Sequence, residues 1–138
     1  MSKLKFDYIK LGKYKRPIIP VRLSFESNSV NTPALIDSGA DFNLFPMGIA
    51  ESLGVKLNLD KPIIFNGVGS KMPGMTGYMA VIDLMIFNKG EHINFTTPII
   101  FTKEIPPNGI SLLGEFGFFD HLEEVCLCYK REKIIVGN

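Results

Sequence analysis

The chain has 138 residues, room for one compact domain but not for two sizeable ones, and 46% of them are apolar, with eleven phenylalanines and no tryptophan. It can therefore bury a core, and disorder is not expected. A formal net charge of +1 argues against nucleic acid or an anionic membrane surface as the main partner, and no apolar run approaches the roughly 20 residues of a membrane span.

Taken in order, residues 1–16 read as a basic arm or an irregular first strand. Residues 1–22 carry seven cations against the single acid Asp7, so this segment is +6 and the remainder −5. A solvated arm that aids solubility accounts for this, and a docking arm for an acidic partner is the alternative. "MSKLKFDYIK" lacks the apolar stretch of a secretory signal, so the chain reads as untargeted and cytoplasmic. "PVRLSFE" alternates Val21, Leu23 and Phe25 with Arg22, Ser24 and Glu26, the period of a strand with one wet face. "SNSVNT" has turn chemistry, "PALID" is a short strand ending at Asp37, and "SGADFN" is a loop.

"FPMGIAESLG" predicts a short helix after Pro46, with Ile49 and Leu53 on one side and Gly54 placed to end it. "KPIIFN" returns to strand. "GVGSKMPGMTG" holds four glycines and a proline in eleven residues and predicts a long hairpin tip. "YMAVIDLMIF" is apolar on both alternations apart from Asp83, which predicts a strand covered on both faces. Then follow a turn at "NKGEH", a strand at "INFTTPIIF", a loop at "KEIPPNG", a short strand at "ISLLG", one or two helical turns at "EFGFFDHL", and a closing hairpin "EEVCLCYKREKIIV" turning around Lys130–Lys133. Many short strands, Gly/Pro turns and two brief helices predict an all-β barrel or sandwich, without repeats, low-complexity segments or linkers.

Several chemistries are set aside by their spacing. "GVGSKMPG" lacks the third glycine of a dinucleotide fingerprint and the Gly-Lys-Ser order of a phosphate loop, and it precedes a strand where both need a helix. No G-x-S-x-G elbow supports a serine triad, and His92 and His121 offer no pairing at zinc-ligand spacing, so no metal and no organic cofactor are expected. Cys126 and Cys128 fall on one face of a strand, too near in sequence for a relaxed disulfide, and read as buried free thiols in a reducing compartment.

The stretch "ALIDSGADFNLFP" is different, because it runs an apolar strand directly into a carboxylate. Burying Asp37 is costly unless it has partners or a chemical role. A loop aspartate capping its own turn is the plain reading. Two such residues facing each other would be a mechanism: like charges do not both ionise readily, so the pair shares one proton and supplies a general acid and a general base to a trapped water.

Asp37-Ser38-Gly39-Ala40, preceded by Leu35-Ile36, resembles the active-site motif of the retropepsin-like aspartic proteases, single-domain enzymes that work as homodimers. Leu112-Leu113-Gly114 resembles the family's late apolar-apolar-glycine signature, and Gly67-Val68-Gly69 the start of its substrate-covering flap. The likeness runs in order from about Pro17 to Val136, with residues 17–138 as the protease domain. It implies a small closed β-barrel with a flap hairpin. It also implies Asp37 as the catalytic carboxylate, Ser38 as the hydroxyl tying two active-site loops together, and Gly39 and Ala40 as backbone that meets the substrate. Asp41, with Gly67, Val68 and Gly69, would contact substrate. One departure is Glu115, where many members carry Arg or Lys after the late glycine; an acid there removes an ion pair at the Asp41 position. The resemblance implies an aspartic endopeptidase acting on peptides, and the alternative is a catalytically silent barrel that binds peptides or serves dimerisation.

Overall fold

In the computed structural model of the chain, residues 2–65 and 74–138 are described. Alternating apolar residues build most of its strands. The chain opens with β1 (Lys3–Asp7), a two-stranded ribbon of β2 (Ile9–Leu11) and β3 (Tyr14–Arg16), and then β4 (Ile18–Phe25) and β5 (Asn28–Ile36). After β6 (Leu44–Pro46) comes helix α1 (Met47–Leu53), followed by β7 (Ile63–Phe65) and the long pair β8 (Met75–Asn88) and β9 (Glu91–Thr102). The chain closes with β10 (Ser111–Leu113), a 3-10 turn at Phe119–His121, and the hairpin of β11 (Glu124–Cys128) and β12 (Lys133–Gly137).

Six strands close on themselves in the order β4-β5-β10-β6-β9-β8, because β4 pairs with β5 on one side and with β8 on the other. The expected all-β closed barrel is therefore observed, with β7 added outside β8. Inside it lie Ile19, Val21 and Leu23 of β4, Ile82, Leu84 and Ile86 of β8, and Phe45, Phe101, Leu113 and Phe118, all essentially without solvent contact. Each such side chain contributes roughly 1.5–3 kcal/mol through burial. A separate sheet, ordered β1-β12-β11, adds Leu4, Phe6, Ile134 and Val136 to the same apolar cluster. Among the described residues no helix is long and apolar enough to cross a membrane.

Helix α1 forms where expected. Ala50 and Leu53 face the core with Ile49 packed beside them, and Gly54 ends the helix in the left-handed region at φ 75°, its N–H bonded to the carbonyl of Glu51.

Three local expectations are corrected. "SNSVNT" is not a long turn: only Glu26 and Ser27 turn, and Asn28–Thr32 already pair with β4 from Phe25↔Asn28 onward. Register with a neighbour holds these polar residues extended where their own preference is for turns. Strand β8 is not covered on both faces, since Ile82, Leu84 and Ile86 point inward while Val81 is 60% exposed and Asp83 lies outside, accepting a hydrogen bond from Thr96 at 2.7 Å. The helical turn expected in "EFGFFDHL" is observed as a single 3-10 turn, with His121 stacked on Phe95 at 4.5 Å. The cysteines are free but not buried: Cys126 is exposed and Cys128 half-buried, because β11 is an edge strand whose outer face meets solvent.

Candidate active site

Asp37 is placed by a parallel strand pair. Ala34, Leu35 and Ile36 of β5 lie opposite Ser111, Leu112 and Leu113 of β10, and the Asp37 N–H extends that ladder by donating to the Leu113 carbonyl at 2.9 Å. On its other side, Ile36 N–H donates to the Pro17 carbonyl at 2.9 Å. The carboxylate therefore leaves the end of a rigid strand, half-buried, where its backbone has little freedom.

Beyond Asp37 the chain turns back at once. Ala40 N–H donates to the Asp37 carbonyl at 3.1 Å, and Gly39 N–H donates to Asp37 Oδ1 at 2.9 Å. The second bond is the self-capping expected of an Asp-Ser-Gly turn, and it also fixes the carboxylate's orientation. Among the described residues it is the one hydrogen bond to this carboxylate, so Oδ2 is left for other chemistry. Ser38 and Gly39 are exposed, Ala40 is buried, and Asp41 is exposed.

This turn is fastened to the late motif along its length. Glu115 N–H donates to the Ala40 carbonyl at 2.9 Å and Phe116 N–H to the Asp41 carbonyl at 2.8 Å, while the Phe42 and Phe116 rings sit 6.0 Å apart. Gly114 lies where the two segments touch: a Cβ there would stand 2.5 Å from the Phe42 carbonyl oxygen and 2.7 Å from that of Ala40. Only glycine permits this approach. The structure thus brings together Asp37–Asp41 and Leu112–Glu115, as the sequence motifs require. Glu115 and Asp41 are neighbours through their backbones, both exposed, and among the described residues neither forms an ion pair. Gly67, Val68 and Gly69 lie outside the described residues; the strands flanking them, β7 and β8, pair antiparallel with Phe65 opposite Met75.

One organising residue escapes a reading by composition. Asn43 is fully buried; its Oδ1 accepts from Gly114 N–H at 3.0 Å and its Nδ2 donates to the Pro98 carbonyl at 3.3 Å. Its carbonyl also accepts from Ile100 N–H at 2.9 Å. Asn43 thereby joins β6, β9 and the Gly114 turn beneath the site. The available signal is its place between Phe42 and Leu44, a polar residue inside an apolar run. Further along, Gly117 adopts φ 110° against Asn43, and its carbonyl accepts from Thr97 Oγ1 at 2.5 Å.

The same architecture occurs in a solved structure. A retropepsin-like aspartic protease from Rickettsia conorii superposes with a TM-score of 0.59 over 98% of this chain and 98% of that one, at 14% sequence identity. The EIAV protease in complex with the inhibitor HBY-793 aligns over 77% of this chain and 88% of that one, at 21% identity and a TM-score of 0.42. No protein-family model matches the sequence, and no curated protein does. The chain has the retropepsin-like fold.

Proposed function

We propose that this chain is one protomer of a homodimeric aspartic endopeptidase. The observation that carries the proposal is the fastening of the Asp37–Asp41 turn to Leu113–Phe116, which holds one carboxylate at the end of a rigid strand with Oδ1 engaged. The fold shared with the Rickettsia conorii protein supports it. The chain contains one Asp-Ser-Gly, so a pair of carboxylates requires two copies.

In the proposed reaction the two Asp37 residues hold a water and a single proton. The ionised carboxylate takes a proton from the water as its oxygen attacks the scissile carbonyl carbon, and the protonated one gives its proton to the carbonyl oxygen. The resulting tetrahedral diol collapses when its nitrogen is protonated and one hydroxyl loses its proton, breaking the C–N bond and leaving an acid and an amine. Ser38, exposed in the single chain, ties the two site loops across the dimer axis. Gly39 and Ala40 supply backbone beside an extended peptide, Asp41 accepts from the peptide main chain, and Gly67, Val68 and Gly69 cover it. Main-chain pairing of this kind takes affinity from backbone hydrogen bonds and specificity from side-chain pockets.

The test is digestion of a peptide library by wild type and Asp37→Asn across acidic and neutral pH. Wild type cleaves, with rates falling on both sides of a maximum because the pair needs one proton and neither none nor two. Asp37→Asn retains the circular dichroism of the wild type and loses cleavage by at least about a hundredfold. A wild type that binds peptides and cleaves none overturns the proposal and assigns the silent-barrel role instead.

A further inference from the structure

The outer face of β11 carries chemistry that the proposed hydrolysis does not use. Cys126 and Cys128, two residues apart and on the same face of the strand, bring their sulfur atoms to 3.0 Å. The turn after β11 carries Arg131 back over the strand end, where Nη2 donates to Cys128 Sγ at 3.3 Å. That turn is tight, closed by Glu132 N–H on the Tyr129 carbonyl at 3.1 Å with Glu132 at φ 54°. Cys126 is exposed, Cys128 is half-buried, and neither belongs to the apolar core.

The two thiols are therefore not equivalent. Cys128 Sγ has the Arg131 guanidinium donating to it, which favours its thiolate, and the Cys126 sulfur within hydrogen-bond reach, whereas Cys126 has no cationic donor of its own among the described residues. The hydrogen bond shared with Cys126, and after it Arg131, holds the Cys128 thiol below its ordinary value, while the same bond pushes Cys126 up. Glu124, on the same face and paired with Lys3 at 3.1 Å, adds to the rise at Cys126.

We propose that Cys126 and Cys128 form a thiol–disulfide exchange site, with Cys128 the attacking thiolate, Cys126 the resolving thiol, and a low-molecular-weight disulfide of the glutathione class as co-reactant. Cys128 Sγ attacks one sulfur of the co-reactant, forming a mixed disulfide and expelling one thiolate, which is protonated by solvent. Cys126 then gives up its proton and attacks the Cys128 sulfur, closing the Cys126–Cys128 bond and expelling the second thiolate. The protein loses two electrons and two protons, and the co-reactant is reduced to two thiols.

Strand geometry sets the character of the product. At about 3.3 Å per residue the two Cα atoms of an i, i+2 pair stand about 6.6 Å apart, beyond the roughly 5.5–6 Å that disulfides prefer and close to the largest separation they usually span. Closing the bond must draw β11 together, and strained, exposed disulfides are the readily reduced ones. Only β12, which pairs Cys126 with Ile135 and Cys128 with Lys133, has to accommodate the change, because β11 is the edge of its sheet. The pair is thus suited to reversible oxidation and not to a permanent cross-link.

The experiment treats the reduced full-length chain with oxidised glutathione, quenches at intervals with an alkylating agent, and follows intact mass. Wild type passes through one glutathione adduct and ends two hydrogens lighter, with neither cysteine alkylated. Cys126→Ser stops at one stable adduct on Cys128, Cys128→Ser reacts about tenfold or more slowly, and Arg131→Ala slows the first step several-fold, as expected when thiolate fraction controls the rate. Any of three results overturns the assignment: both cysteines still alkylated at the end, equal rates for the two serine variants, or wild type ending as a bis-glutathione adduct or an interchain disulfide.

Discussion

Gly114 is the residue on which the candidate site closes. Its Cβ position is filled by the carbonyl oxygens of Phe42 and Ala40, which are backbone atoms and move only if the Asp37–Asp41 turn moves with them. Gly114→Ala is therefore expected to lower stability by about 1–3 kcal/mol, the usual cost of forcing extra atoms into a packed site. Urea denaturation of the variant beside wild type reads this, and an unchanged midpoint would show that the turn yields freely. The glycine was legible as part of a motif, but its reason was not, because the atoms it makes room for lie about seventy residues earlier in the chain. Asn43 showed only as a polar residue inside an apolar run, and its role was not legible. A buried asparagine with three backbone partners and a solvated loop asparagine look alike until the pairing of β6, β9 and the Gly114 turn is known.

Elements were read best where local chemistry decides them. Alternation in β4 and the Pro46 and Gly54 limits of α1 needed no distant partner, whereas the extended Asn28–Thr32 and the open outer face of β8 follow from barrel closure through β4. The terminal sheet is held by the same kind of nonlocal pairing, and one cross-strand contact gives it a pH signature. Asp7 and Lys133 are opposite each other on β1 and β12 and form an ion pair. The hydrogen bond from Lys133, with its positive charge, holds the Asp7 carboxyl below its ordinary value of 3.8. A carboxylate lowered in the folded state contributes stability that is present above its unfolded value and lost as pH falls through the folded one. Because both groups are largely exposed, that contribution is small and weakens with salt. Thermal melting of Asp7→Asn beside wild type is expected to show a gap that is constant above the ordinary carboxyl range and closes as pH falls below it. A gap that widens on acidification would assign the pair the wrong sign.

At the scale of the whole molecule the proposed chemistry depends on a second copy, since each barrel brings one Asp37 to its site. This makes activity a property of pairing, which a mixing experiment isolates from the chemistry of any single chain. Wild type and Asp37→Asn fold alike in the proposal, and so exchange freely into mixed dimers holding one carboxylate and one amide. Such a pair cannot keep one proton in transit between two acids, so it is inactive. With nine parts of variant to one of wild type, random pairing leaves the wild-type protomers with about a tenth of their activity each. A self-sufficient monomer would lose nothing on the same addition. Dilution supplies the complementary reading, because specific activity of a dimer falls once concentration drops below its dissociation constant while that of a monomer stays level. Loss of activity on mixing together with loss on dilution places the reaction between two chains, and constancy in both places it within one.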